Sequence, residues 1–143
     1  ELVEILDAEL LGVAGEGRHL ERRFRIGDAM AAVGGRHVVV DDGEGRVIGC
    51  GGIAPLAGGD ADTCELKKMY FLPEARGLGL GRELMTTLEE AARNRRYRVV
   101  YLETLGSMVE AAKLYQRLQY TPLAGPMGNT GHTRCGSFYA KTL

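Results

Sequence analysis

A short loop of alternating glycines carries the clearest chemical signal in the sequence. It reads Arg-Gly-Leu-Gly-Leu-Gly-Arg over residues 76–82. Because glycine has no Cβ, an anion can approach the main chain and several N–H groups can turn toward it. Arg76 and Arg82 add full positive charges, and the first turn of a following helix adds a partial one. The loop predicts a cradle for a phosphate-bearing polyanion, although Gly-x-Gly also occurs where a strand simply enters a helix tightly.

The spacing of the glycines separates three phosphate motifs. A P-loop needs Lys-Ser/Thr after its last glycine, whereas Arg82-Glu83 follow Gly81 here, which disfavours a nucleoside triphosphatase. A dinucleotide fingerprint needs Gly-x-Gly-x-x-Gly, and the third glycine comes one residue early. The remaining pattern follows the run CELKKMYFLPEA at residues 64–75. It resembles the acetyl-CoA diphosphate motif of the GCN5-related N-acetyltransferases, the GNAT family.

The elements that must position this loop alternate between helix and strand. Before the loop, apolar spacing and turn residues predict helices over 1–11 and about 20–33, a hairpin of strands 37–40 and 46–56, and a central strand 64–72. After the loop they predict a helix, then a strand over 99–102. The capping box from Ser107 to Glu110 predicts the start of a further helix, and a final strand is predicted over 138–143. Glycines at 49, 51 and 52 indicate a bulge or a close neighbouring backbone. The order predicts a mixed α/β sheet with 99–102 parallel to the central strand.

The resemblance implies the acyl-CoA N-acyltransferase fold over residues 1–143 as a single domain. That fold is a mixed, mostly antiparallel sheet splayed between two central parallel strands and flanked by about four helices. The family places a strand before its first helix, and none is visible here, so we expect it to be absent or trimmed. Residues 111–120 resemble a second family signature, with Gln119 where a glycine is usual and Met108 where an asparagine is common. These departures weaken one expected pantetheine contact.

The resemblance also implies acetyl-CoA as cosubstrate. The pantetheine arm would pair with the backbone of the central strand where the sheet splays, and the diphosphate would rest on the glycine loop. The side chains on that strand are more simply cleft wall or core. The implied cofactor-binding residues are Met69, Phe71, Arg76, Gly77, Leu78, Gly79, Gly81 and Arg82.

Acetyl transfer to an amine needs a neutral amine, a stabilised oxyanion and a proton for the leaving thiolate. The resemblance implies Glu65 as the base, acting directly or through water, and a Met69 N–H as oxyanion donor; Glu65 could equally be a carboxylate paired with Lys67. Glu65 and Met69 share a face only if strand alternation is unbroken. The same resemblance implies Tyr115 as the general acid, against the alternative of a core tyrosine.

The loop at residues 128–135 lies between the last two strands, which in this fold face the acceptor. There His132 and Arg134 could orient a carboxylate or accept a proton, or the loop could be merely solvated, with Cys135 as buried filler. His19 and His37 have no partner at metal-ligand spacing, so no metal is predicted.

The composition narrows the expected location and partners of the protein. The three cysteines, Cys50, Cys64 and Cys135, are odd in number and lack Cys-x-x-Cys spacing, so they are typical of reduced thiols in the cytoplasm. The net charge of −1 disfavours a nucleic-acid partner, and no apolar run is long enough to span a membrane.

These observations predict an acetyl-CoA-dependent N-acetyltransferase. We expect acetyl transfer to the primary amine of a small molecule, an amino acid or similar, by direct attack in a ternary complex. The alternatives are acetylation of a protein lysine or N-terminus, and a CoA-binding module without catalysis. The family often dimerises, so a homodimer is possible, but nothing in the sequence requires it.

Overall fold

The computed structural model describes residues 18–20, 24–28, 35–132 and 134–143. Within these ranges the strands are β1 (Arg18–Leu20), β2 (Phe24–Asp28), β3 (Arg36–Asp41), β4 (Val47–Pro55), β5 (Thr63–Phe71), β6 (Val99–Thr104), β7 (Thr121–Leu123) and β8 (Ser137–Thr142). They form one sheet in the order β1-β2-β3-β4-β5-β6-β8-β7. The helices are α1 (Leu80–Asn94) and α2 (Val109–Arg117), and a 3-10 turn, Pro73–Ala75, precedes the glycine loop.

Only β5 and β6 run parallel among the described strands, and their pairing is short. It contains three residue pairs, from Thr63 opposite Val99 to Glu65 opposite Tyr101. β5 then continues to Phe71 and β6 to Thr104 without pairing to each other, so the two strands diverge. The predicted splayed sheet is therefore confirmed.

α1 covers one face of this sheet through an apolar stripe. Its buried hydrophobic residues recur three and four apart, as the sequence predicts: Leu80, Leu84, Met85, Leu88, Ala91 and Ala92. They share one hydrophobic core with residues of the central strands, among them Leu66, Val100 and Leu102. No helix in the described ranges has the length and hydropathy needed to cross a membrane.

A β-bulge interrupts the pairing of β4 with β5. Cys50 pairs with Tyr70 and Gly52 with Lys67, so one residue of β4 faces two of β5. At the bulge Lys68 adopts a left-handed φ of 54°, and its carbonyl accepts a hydrogen bond from the Cys50 thiol at 3.1 Å. The bulge predicted from the glycines of β4 is confirmed.

The helix predicted from about residue 20 to 33 is wrong where the structure describes this stretch. Residues 24–28 form β2, whose backbone pairs with β3 from Arg25 opposite Asp41 to Asp28 opposite Val38. Phe24 and Ile26 also fit the two-residue period of a strand, and strand pairing outweighed the helical spacing. The helix predicted for residues 1–11, and the strand expected before it, lie outside the described residues.

The predicted start of α2 is also wrong. Met108 is the N-cap of α2 and makes no side-chain capping bond. Ser107 lies instead in a backbone turn, where its carbonyl accepts from the Val109 N–H at 3.0 Å. Beyond the helix, Gln119 has a φ of 69°. This left-handed position favours glycine at a helix end, which gives a physical reason for the glycine that the family signature usually carries there.

Candidate active site

A cleft of about 700 Å³ opens where the glycine loop, α1 and α2 meet the end of β5. It is lined by seven of the eight predicted cofactor-binding residues together with the candidate acid, in full Met69, Phe71, Arg76, Gly77, Gly79, Gly81, Arg82 and Tyr115. Leu78 is not part of the lining, because its side chain points outward and is 52% exposed. The structure therefore brings the predicted loop and strand residues to one cleft.

The glycine loop presents its main chain to this cleft. Gly77 and Gly79 have φ values of 76° and 79°, in the left-handed region that other residues rarely adopt. Gly79 is the N-cap of α1. No N–H from Gly77 to Arg82 donates to a backbone carbonyl within the described chain. The loop thus offers a row of available amides beside the positive end of a helix, an arrangement suited to an anion.

Arg76 is fixed against the strand that precedes the loop. Its Nε donates to the Phe71 carbonyl at 3.0 Å, and its guanidinium lies 5.4 Å from the centre of the Tyr70 ring. The side chain stays exposed at the cleft, so it keeps guanidinium hydrogens for a ligand. One lone pair of the Phe71 carbonyl oxygen is therefore occupied by Arg76.

The bulge of β5 directs Met69 into the core side of the cleft. A Cβ at Gly51 would come within 3.2 Å of Met69 Sδ, Leu84 Cδ2 and Leu88 Cδ1, so Met69 packs toward α1. Lys68 and Met69 have no register partner on β4, and β6 has already diverged at this level. The backbone here is therefore open to pairing with a ligand.

Tyr115 lies at the inner end of the cleft. Its side chain is buried, and its ring centre lies 5.9 Å from that of Tyr120 and 6.1 Å from that of Tyr139. Its hydroxyl has no hydrogen-bond partner among the described residues, yet no fully buried polar side-chain atom there lacks one, so the hydroxyl faces the cavity. Burial raises the pKa of Tyr115 to about 12, which keeps the phenol protonated.

A smaller cavity of about 190 Å³ adjoins the cleft between the diverging strands. It shares three lining residues with the cleft, Met69, Met108 and Tyr115, so the two spaces adjoin at these side chains. Glu103 and Cys135 also line it. Cys135 is half-buried at a cavity wall rather than the buried filler expected, and burial raises the pKa of its thiol.

Glu65 does not line either cavity, and it is 2% exposed. Its Oε1 lies 3.2 Å from His132 Nε2 and its Oε2 lies 3.6 Å from Lys67 Nζ. Because the bulge intervenes, Glu65 and Met69 do not share a face: Met69 packs toward α1, whereas Glu65 contacts the loop that carries His132. The Glu65 carboxylate therefore contacts His132, whose side chain is 48% exposed, rather than either cavity.

Glu103 is a candidate site residue that the sequence reasoning missed. Its Oε1 accepts from the Tyr101 hydroxyl and its Oε2 from the Thr130 hydroxyl, both at 2.7 Å. Burial and this hydrogen bond raise the pKa of Tyr101, so the phenol remains a donor. Strand alternation could have identified Glu103 from the sequence, because residues two apart on a strand lie on the same face. Glu103 is two residues from Tyr101 on β6, and Tyr101 is opposite Glu65.

The loop that carries Thr130 and His132 is tied down on this side of the sheet. The Met127 N–H donates to the Tyr101 hydroxyl at 3.0 Å, and the Asn129 N–H donates to the Ala57 carbonyl at 2.6 Å. Together with the contacts to Glu65 and Glu103, these bonds hold the loop against β5 and β6. Arg134 is exposed.

The side chains of Glu65, Glu103 and His132 form what we call the carboxylate cluster. One ligand atom from each lies within 4.8 Å of the others, a spacing that could hold a cation. Lys67 already places an ammonium group beside Glu65. The absence of a metal from the reaction stays a prediction.

Comparison with known proteins agrees with this architecture. The profile of the acetyltransferase (GNAT) family matches residues 2–120. The uncharacterized N-acetyltransferase YjgM of Escherichia coli is 47% identical over 92 residues, which cover 64% of this chain and 55% of that protein. The chain spans about half the length of the curated relatives it matches.

Two solved structures illustrate the similarity of fold. A Klebsiella pneumoniae protein described as an acyl-CoA N-acyltransferase is 26% identical, with a TM-score of 0.69 over 80% of this chain and 76% of that one. The yncA protein of Salmonella typhimurium, solved with its cofactor acetyl-CoA, is 24% identical, with a TM-score of 0.62 over 78% of this chain and 66% of that one. From its profile match, its relatives and its splayed sheet, we conclude that the chain belongs to the GNAT acetyltransferase family.

Proposed function

We propose that this protein is an acetyl-CoA-dependent N-acetyltransferase that transfers an acetyl group to the primary amine of a small molecule. The observation that carries the proposal is the cleft at the sheet gap, where open backbone and available loop amides face one space. Acetyl-CoA is the cofactor in the related Salmonella typhimurium structure, and its elongated, diphosphate-bearing form suits such a cleft.

In this proposal the coenzyme is held mainly by main chain. The amides from Gly77 to Arg82 receive the diphosphate, and the side chain of Arg76 adds a charge at the loop entrance. The backbone of Met69 and Phe71, which lies beyond the end of the β5–β6 pairing, pairs with the pantetheine arm in the manner of an added strand. The Met69 N–H supplies the oxyanion donor, because the bulge leaves this residue without a partner on β4.

The chemical steps use two side chains on opposite sides of the gap. Tyr115, which its raised pKa keeps protonated, holds a proton at its hydroxyl beside the cleft and donates it to the leaving thiolate. Glu65, buried against His132 and Lys67, provides the negative charge that accepts the proton of the amine, directly or through its neighbour. The amine attacks in a ternary complex with both substrates bound.

Two measurements test the proposal. Isothermal titration calorimetry with acetyl-CoA should give one site per chain, and release of free CoA thiol should depend on an added amine. Binding without thiol release, from either small amines or peptides, would favour a CoA-binding module. Thiol release with peptides alone would favour a protein acetyltransferase, and absence of coenzyme binding would refute the assignment.

A further inference from the structure

Glu103 makes no ion pair among the described residues. Of the basic side chains near the carboxylate cluster, Lys67 and His132 contact Glu65, and Lys68 lines the same cavity as Glu103. Glu103 accepts hydrogen bonds only from the neutral hydroxyls of Tyr101 and Thr130 within the described part of the chain. A half-buried carboxylate held in this way attracts a cationic partner, since its charge is partly removed from water and unpaired.

The position of this charge connects it to the proposed reaction. Glu103 lines the smaller cavity, and Tyr115 lies on the boundary between that cavity and the coenzyme cleft. The ligand atoms of Glu65 and His132 lie within 4.8 Å of that of Glu103. An ammonium group bound at Glu103 would thus lie beside the groups that take its proton and next to the space reached by the coenzyme.

We propose that Glu103 binds the ammonium group of the acceptor and selects amines that carry no carboxylate beside the amino group. The proposal rests on the function given above and narrows its substrate class. An α-amino acid would bring its own carboxylate against Glu65 and Glu103, where like charges repel.

The experiment uses acceptor pairs that differ only by the α-carboxylate: 1-aminobutane with norvaline, 2-phenylethylamine with phenylalanine, and 3-methyl-1-butylamine with leucine. Thiol release is measured for each at saturating acetyl-CoA, with a chelator present so that a bound metal cannot contribute. We expect kcat/KM for at least one amine to exceed that of its amino acid about tenfold or more.

The variant Glu103→Gln should lower kcat/KM for the preferred amine about 30-fold, mainly through KM, and bring the ratio within each pair close to one. Glu103→Asp, which keeps the charge, should restore part of the preference. Glu44→Gln is the matched control, because it removes the same charge from an exposed turn that is distant in sequence from the site. An unchanged Kd for acetyl-CoA shows that each variant is folded.

The outcomes separate this inference from the proposed function. Equal turnover of amines and amino acids, or no turnover of any of the six acceptors, would overturn the role of Glu103. Coenzyme binding in the same protein would still support the acetyl-CoA site. A preference that survives Glu103→Gln would also overturn the role of Glu103. Failure to bind acetyl-CoA would instead overturn the proposed function itself.

Discussion

The two halves of the proposed site use different chemical groups, backbone amides in one and side chains in the other. The coenzyme half, residues 69–82 with the start of α1, is one continuous stretch and works mainly through backbone amides. The acceptor half joins the carboxylate cluster to Tyr101 and to the loop at residues 127–132, so it combines side chains from β5, β6 and a distant loop. The first half can bind the part of a substrate common to many reactions, whereas the second can change its specificity by single substitutions.

The largest effect that would sharpen this comparison is expected in the coenzyme half. Gly79→Val should raise the Kd for acetyl-CoA about 1,000-fold, because a β-branched residue cannot hold a φ of 79° and the loop amides would turn away from the diphosphate. Calorimetry gives the Kd directly. Gly45→Val is the control, since Gly45 has a φ of 94° with open space around it in the turn before β4. Equal loss of affinity in both variants would mean that general strain is responsible.

A smaller effect is expected from the acceptor half. Glu65→Gln should lower kcat/KM for an amine about 100-fold, because a neutral amide cannot accept the proton of the amine or support His132 in doing so. The Kd for acetyl-CoA should stay within about twofold of the unmodified protein, as expected for separate halves. Steady-state kinetics together with calorimetry test both statements. A large change in coenzyme affinity would contradict the division.

The smallest of the three effects concerns Tyr115, where the halves meet. Tyr115→Phe should lower turnover about tenfold or more with coenzyme affinity nearly kept, since only the proton donor is lost. Tyr139→Phe, in the same aromatic cluster, is the control. Because burial raises the pKa of Tyr115 to about 12, its proton is lost only as pH rises through that value. Turnover should therefore show no decline assignable to this group below about pH 11, and an unchanged rate in the variant would remove the role.

The two halves also differ in how far the sequence alone could predict them. The glycine loop, α1, the central strand and the bulge follow from local patterns, and each lies where the sequence placed it within a residue or two. Glu103 was missed because its meaning depends on Thr130 and Tyr101, which meet only in the folded chain. The glycines of β4 predicted a bulge, but they did not show that it would place Glu65 and Met69 on different faces of β5.

The errors in secondary structure have the same origin. Residues 24–28 carry apolar spacing compatible with either a helix or a strand, and pairing with the neighbouring strands β1 and β3 decides between them. The start of α2 moved because a turn ending at Met108 used backbone bonds that no capping pattern describes. Local rules were sufficient where a segment's partners are near in sequence and failed where they are distant.

The brief pairing of β5 with β6 has a mechanical consequence. Each side of the seam keeps a full antiparallel ladder, β3 with β4 and β5 on one side, and β6 with β8 and β7 on the other. Among the described strands, three parallel residue pairs join the two ladders, next to the hydrogen bonds that the Arg98 and Val99 N–H groups donate to the Asp62 carbonyl. A tilt of one ladder against the other would therefore bend the sheet at Glu65 and Tyr101 while leaving each ladder intact, and the gap could widen for a bulkier acyl group without local unfolding.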